Sequence, residues 1–325
     1  MSHPLTLGIL SDVHYAGARE QAEGDDFEHR NLANPLLKCV ARLYRHRLWL
    51  RRPLRLNHLL DSCLEALKNA DYVVANGDYS CNTHSVGVSD DAACESAKEC
   101  LNKLRTKFSP NFRATFGDHE LGKLSMFGGR GGMRLASFTR ACYQLGLQPF
   151  WRVELSNYVL LGVTSSLIAL PVFERDTLPE EMPEWNKLRK QHLEAIRKTF
   201  GNLQDNQRVL LFCHDPTALP FLWQQETIRH KSGQIEQTII GHLHSPLILW
   251  QSRLLAGMPV IRFLGHAVER MSNALHDGKY WKPFKVWLCP SLAGIELLKD
   301  GGFLTARLDP EARIPPQFQF HPLPR

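Results

Sequence analysis

Ile9-Leu10-Ser11-Asp12-Val13-His14 and Ile239-Ile240-Gly241-His242-Leu243-His244 are the stretches on which the reading of this 325-residue chain turns. Each is an apolar run suited to a buried strand, then one small residue, then two side chains able to ligate metals. Residues two apart on an extended loop can point to the same side. Asp12 with His14, and His242 with His244, can therefore each reach one ion or an adjacent pair. Three further segments share the design: Val73-Val74-Ala75-Asn76-Gly77-Asp78, Ala114-Thr115-Phe116-Gly117-Asp118-His119-Glu120 and Leu210-Leu211-Phe212-Cys213-His214-Asp215. Taken singly, an Asp-x-His or a Gly-Asp is more often a cap or a turn. Five in succession, each after a strand, point to one crevice at the carboxyl ends of strands, where α/β sheets gather functional groups. Buried carboxylates and imidazoles are costly unless neutralised, and a metal does that well. Asp and His donors without thiolate suit a first-row divalent ion, manganese first, with iron or zinc as alternatives.

Working outward, β-branched and apolar runs at 5–10, 72–75, 112–116, 158–163, 209–213 and 238–240 predict strands. Helical periodicity lies between them at 58–69, 91–107, 133–145, 185–203 and 216–225. This alternation predicts an α/β domain whose sheets are covered by helices. In the last third, runs at 260–264, 285–288, 294–298 and 303–308 are expected to be shorter strands closing a second sheet. Residues 309–325 are rich in proline and are expected to form an extended tail, leaving 1–308 as the domain.

Composition bounds the alternatives. With 43% hydrophobic and 22% charged residues the chain can bury a large core and is no disordered protein. A net charge of +6 says little about partners. No apolar run reaches the length of a membrane span, and the first residues lack the layout of a signal peptide. The eight cysteines contain no C-x-x-C pair, and several sit among apolar residues, which suits reduced thiols in the cytoplasm.

The order Asp-x-His, Gly-Asp, Gly-Asn-His-Glu/Asp, His, Gly-His-x-His resembles the calcineurin-like metallophosphoesterase superfamily, matched here from Asp12 to His244. The resemblance implies a four-layered α/β/β/α sandwich of two mixed sheets flanked by helices. It implies a dinuclear centre in which Asp12, His14 and His244 hold one ion, His214 and His242 hold the second, and Asp78 bridges both. Two metals about 3.5–4 Å apart can hold a bridging hydroxide and clamp a phosphate for in-line attack. His119 is expected to protonate the leaving oxygen or stabilise its charge, with Glu120 orienting its ring. One position departs from the pattern: Asp118 stands where the family has Asn. Either Asp118 still ligates and adds a negative charge, tightening metal binding and weakening anionic substrates, or it points elsewhere and the second position is weak.

Other residues are open to two readings. Asp215 is either a partner for an imidazole or a loop-start residue before Pro216. The loop 127–134 has four glycines with Arg130 and Arg134, which could grip a phosphate or lie on the surface. Asn82 and His84 follow Asp78 and are candidates to face the substrate. The remaining histidines lack ligand spacing.

The substrate is informed only by the insertion 36–60, where Lys38, Arg42, Arg45, Arg47, Arg51, Arg52 and Arg55 interleave with Leu, Trp49 and Tyr44 without one acidic residue before Asp61. Pro53 is expected to split it into two helical pieces. Such a segment suits an anionic membrane surface or a lid over an acyl chain, or simply packs on its own domain. Nucleic acid ranks lower because leucine outnumbers stacking aromatics. The leading expectation is a peripheral hydrolase of a phosphodiester or pyrophosphate in a lipid, similar to UDP-diacylglucosamine pyrophosphatases. The alternatives are a soluble nucleotide phosphodiesterase or phosphoprotein phosphatase, and a metal-bound scaffold without turnover. Oligomeric state is not legible.

Overall fold

The run before Asp12 forms β1 (Leu5–Leu10), and the run before Asp78 forms β2 (Tyr72–Ala75), parallel to it with Leu7 opposite Tyr72. This computed structural model describes residues 3–24, 34–81, 85–123, 131–261 and 266–324. β3 (Phe112–Ala114) continues the parallel set beside β2. On the other edge, β9 (Gly302–Leu308) pairs antiparallel with β1, and β10 (Gln317–Pro322) pairs antiparallel with β9. The second sheet holds β4 (Phe150–Leu155), β5 (Tyr158–Val163), β6 (Arg208–Cys213), β7 (Ile235–Ile240) and β8 (Val286–Leu288). Within it, β4 is antiparallel to β5 and the others run parallel. Both five-stranded sheets are therefore mixed, in the orders β10-β9-β1-β2-β3 and β4-β5-β6-β7-β8.

Side-chain alternation divides the core into layers. Leu7 and Ile9 of β1, Tyr72 and Val74 of β2, Leu160 of β5, Leu210 and Phe212 of β6 and Leu304 of β9 form one buried cluster between the sheets. The opposite faces, among them Val73, Ala75, Val159, Leu161, Val209 and Leu211, join a second cluster with helix residues Leu101, Leu104, Trp185, Ile196 and Phe200. The helices concerned are Asp91–Phe108 and Met182–Gly201. Asp90 caps the former by accepting from the Ala93 amide at 2.9 Å, satisfying one end donor. The result is the expected four-layered α/β/β/α sandwich. Burying each Leu- or Phe-sized side chain stabilises by about 1.5–3 kcal/mol.

Several expectations fail for local reasons. Residues 294–298 form a turn, with Gly294 at φ +62° and the Ile295 amide held by Asp300 at 2.8 Å. The last strands return to the first sheet, where β9 lies beside the N-terminal strand. The tail is no free extension: 317–322 is an edge strand, its Phe318 stacked on Trp287 with ring centroids 5.3 Å apart. Pro322 is tolerated there because an edge leaves backbone donors unused. β4 has no counterpart in the sequence reading. Residues 262–264 of the expected 260–264 strand lie outside the described residues.

The insertion breaks near Pro53 as expected. It comprises helix Pro35–Tyr44, a π-turn Arg45–Trp49 and a 3-10 turn Pro53–Arg55. Its last residues belong instead to the core helix Asn57–Ala66, where Leu59 and Leu60 are buried. It docks through backbone: the Glu296 amide donates to Trp49 O at 2.7 Å, and the Arg51 amide donates to the Glu296 carboxylate at 3.0 Å.

Candidate metal centre

Asp12, His14, Asp78, His242 and His244 all take the left-handed region, at φ +49°, +48°, +59°, +57° and +61°. Non-glycine residues rarely accept this, and the strain collects where structure elsewhere enforces it. Each residue lies just past the carboxyl end of β1, β2 or β7, so the turns after those strands aim side chains into the seam between the two sheets. Glycines make the approach possible. A Cβ on Gly117 would lie 2.1 Å from Asp78 Oδ1, and one on Gly241 would lie 2.5 Å from Asp12 Oδ2.

Two donor sets result. Asp12 Oδ1 lies 3.3 Å from His244 Nε2 and 3.9 Å from His14 Nε2, whose ring stacks on that of His244 with centroids 5.0 Å apart. Asp118 Oδ1 lies 3.0 Å from His242 Nδ1 and 3.3 Å from His214 Nε2. Asp78 Oδ2 stands between them, 3.2 Å from His214 Nε2, and its oxygens group with donors of both sets. Asp118 therefore faces the cluster with one oxygen.

Neighbouring groups fix these side chains. Ser11 Oγ donates to Asp12 Oδ2 at 2.5 Å, and the His242 amide donates to Asp12 Oδ1 at 3.1 Å. His214 Nδ1 donates to Asn76 O at 2.5 Å, which leaves Nε2 as the free ring nitrogen facing the seam. Asp215 combines both of its readings. Its Oδ1 caps the Thr217 amide at 2.8 Å, and its Oδ2 lies 4.0 Å from His242 Nε2.

Glu120 requires a correction. It does not orient His119, whose Nδ1 has no hydrogen-bond partner among the described residues. Its Oε2 accepts from the amides of Gly117 at 2.7 Å and Asp78 at 3.0 Å, and its Oε1 accepts from the Tyr79 amide at 2.8 Å. Three inward-pointing amides at the ends of β2 and β3 need an acceptor, and Glu120 ties the two turns together. It is a scaffold residue. His119 itself lies with Nε2 3.8 Å from Asp78 Oδ2, and its amide donates to Asp78 Oδ1 at 2.9 Å.

The electrostatics follow from crowding in a dry seam. Burial and the Asp118 charge work to raise Asp78, but His119 and His214 overcome both and hold it well below the usual carboxylate range. Burial disfavours charge on His214 too, yet Asp78 and Asp12 push it well above its ordinary value. Burial, with the Asp78 charge, lifts Glu120 to about 8. Burial lowers His119 to about 3.

The residues fit divalent ions. His14 Nε2, Asp78 Oδ2 and His214 Nε2 are buried, converge on the seam and have no hydrogen-bond partner among the described residues. Such orphaned acceptors are costly to bury unless a cation takes them. Of the residues expected at the substrate, Asn82 and Arg130 lie outside the described residues. Arg134 donates to the carbonyls of Met133 and Gly131, both at 2.8 Å, and so braces its own loop. Two residues of the centre had no motif to announce them. Lys123 Nζ lies 3.0 Å from Asp118 Oδ2, and the Trp49 ring stands 5.2 Å from that of His244, centroid to centroid.

No family model and no curated protein sequence matches the chain. Among solved structures, a dimetal phosphatase from Danio rerio aligns with a TM-score of 0.47 at 14% identity, over 94% of this chain and 93% of that one. A phosphopantetheinyl hydrolase from Mycobacterium tuberculosis aligns with a TM-score of 0.37 at 15% identity, over 76% of this chain and 85% of that one. In the order of its motifs and in its two-sheet sandwich, the chain resembles the calcineurin-like metallophosphoesterases.

Proposed function

We propose that this chain is a hydrolase of phosphoester bonds that works with two divalent ions. The observation that carries the reading is the pair of donor sets sharing Asp78, with buried ring nitrogens and a carboxylate oxygen that have no hydrogen-bond partner among the described residues. Asp12, His14 and His244 would hold one ion, Asp118, His214 and His242 the other, and Asp78 both. Two such ions supply a water nucleophile near neutral pH and stabilise charge on phosphoryl oxygens. The absence of thiolates and the mix of oxygen and nitrogen donors favour manganese. His119 stands with Nε2 3.8 Å from Asp78 Oδ2, and its role is to offer a ring N–H to the leaving oxygen. Glu120 holds the Gly77-Asp78 and Gly117 turns in register, and Asp215 faces the far nitrogen of His242. Hydrolysis of bis(p-nitrophenyl) phosphate by metal-stripped protein, with Mn, Fe, Co, Zn or Mg restored, tests this. Turnover restored by an ion and lost in His119→Ala is expected. Ion-independent turnover would contradict it.

The finer reading is a lipid phosphodiester or pyrophosphate approached at an anionic membrane. Leu36, Val40, Leu43, Tyr44 and Leu48 recur at helical spacing and are all exposed, from 42% at Leu48 to 73% at Leu36, while Ala41 among them is buried. This outward apolar stripe runs through the arginine-rich segment and ends at Trp49, beside His244. Apolar stripe and cations together match an anionic interface, with each cation worth about 1 kcal/mol there. Among the described residues no helix is long and apolar enough to cross a membrane, so the proposed contact is peripheral. Flotation with phosphatidylglycerol vesicles should carry the protein, and Arg47→Glu with Arg51→Glu and Arg52→Glu should leave it at the bottom. Equal flotation of both proteins would count against the lipid reading. Trp49 favours a second reading, because an indole at the rim can stack a nucleobase. A nucleoside diphosphate ester cleaved faster than a phospholipid, with KM raised in Trp49→Ala, would select it.

A further inference from the structure

The helix that leaves the metal centre presents a second apolar face to the outside. Helix Pro246–Leu254 begins two residues after His244, and its cap Ser245 accepts from the Leu247 amide at 3.2 Å. Leu249 and Ser252 on its inner side are buried, and Arg253 Nη2 donates to Val286 O of β8 at 2.6 Å. On the other side Leu247, Trp250 and Leu254 share one face and are exposed, 59% at Trp250 and 70% at Leu254. Leu255, just past the helix, is exposed as well. Backbone bonds connect this helix to the arginine-rich segment. The Ser291 amide donates to His244 O at 3.2 Å, and farther along the same loop the Leu297 amide donates to Leu48 O at 3.4 Å. Leu297 is itself exposed, and Trp49 meets the His244 ring from the segment's end. Charge follows the same pattern in both elements: no acidic residue occurs from Gln237 to Val268, and none from Leu36 to Leu60.

With the lipid reading above taken as its basis, we propose that helix Pro246–Leu254 is a second docking element for an anionic lipid surface. Leu247, Trp250 and Leu254 enter the interface, and Leu297 bridges them to the stripe that runs through Leu48. An indole flanked by leucines suits the boundary between headgroups and acyl chains. The chemistry favours lipid over a second copy of this chain. A two-fold contact would set these acid-free, cation-bearing segments against themselves, whereas anionic headgroups answer their charge. Because the helix starts two residues after His244, docking through it brings the metal centre to the headgroups, where a lipid phosphate lies.

Partitioning of the intact chain onto phosphatidylglycerol vesicles tests this in the wild type, in Leu247→Ser with Leu254→Ser, and in Trp250→Phe. The serine pair keeps every charge and should lower partitioning by roughly tenfold or more, because each leucine loses its burial in lipid. Its turnover of bis(p-nitrophenyl) phosphate, which needs no membrane, should be unchanged. Trp250→Phe keeps an apolar ring and should still bind, but quenching of tryptophan fluorescence by brominated phosphatidylglycerol should fall. That readout decides the matter even if the serine pair fails to fold. Serine variants that partition like the wild type, or quenching unaltered in Trp250→Phe, would overturn the second element and leave the arginine-rich segment as the sole contact. A wild-type dimer that the serine pair converts to monomer in sedimentation, with partitioning kept, would overturn it too and assign the face to a second copy. A wild-type chain that stays off the vesicles would overturn the lipid reading and this element together.

Discussion

The first sheet brings the carboxylates to the centre and the second brings most of the imidazoles. Asp12, Asp78 and Asp118 follow β1, β2 and β3, whereas His214, His242 and His244 follow β6 and β7. Neither sheet alone offers a balanced donor set. Three buried carboxylates repel one another, and neutral imidazoles at the end of a dry sheet lack partners. Brought together, each side answers the other, as when His214 is pushed upward by Asp78 and Asp12. The centre is thus a property of the interface between the sheets, and ions bound there would cross-link them.

Breaking one side should cost as much as breaking both. Asp78→Ala and His214→Ala, one from each sheet, should each lower metal-dependent turnover by roughly a thousandfold, equivalent to about 4 kcal/mol. The double variant should be little worse, because groups acting as a unit are not additive. A double variant that loses the product of the two factors would mean the sheets contribute independently.

A smaller effect is expected from moving one side without removing it. Gly117→Ala places a Cβ 2.1 Å from Asp78 Oδ1, so the Asp78 carboxylate must shift. Displacements of this kind lower rates by roughly a hundredfold. Turnover within a few-fold of the wild type would show that the turns yield.

The cross-link should also appear in stability. Manganese at a hundred times its Kd contributes about 2.7 kcal/mol to the folded state, which in a chain this size raises the Tm by about 5 °C. Calorimetry with chelator and with manganese would show it, and an unmoved Tm would argue that the sheets are held without ions.

His192 provides the smallest test, away from both sets of turns. Burial lowers it to about 3 from its ordinary 6.5, and its Nε2 accepts from the Thr164 amide at 3.1 Å. The unfolded chain takes up this proton near pH 6.5, and the folded chain resists until about pH 3. Stability from the neutral ring is therefore full above pH 6.5 and falls as pH drops below it. Urea unfolding of metal-free protein should lose about 2 kcal/mol from this group between pH 7 and 5. His192→Gln should flatten that part of the slope, and an unchanged slope would show that the group does not titrate as buried.

How much was legible depended on what each residue had to do. Parallel strands buried on both faces read as continuous apolar runs, so β1, β2 and β5 were placed by pattern alone. β4 escaped because its alternating Phe-Trp-Arg-Val-Glu-Leu is half-exposed, and β10 because prolines hide an edge strand. Ligand types were legible because each followed a strand end. Glu120 was misread because proximity in sequence to His119 suggested a side-chain partner, whereas its oxygens serve three amides. Lys123 and Trp49 carried no motif. One reaches the seam around a glycine turn, and the other arrives from an insertion far from any ligand in sequence.

The most direct test counts ions. Elemental analysis of the wild type and of Asp78→Ala after loading with manganese should find two ions per chain in the former and fewer in the latter, with turnover following occupancy. A wild-type chain that holds no divalent ion, or an Asp78→Ala chain that holds two and still turns over, would contradict a shared dinuclear centre between the sheets.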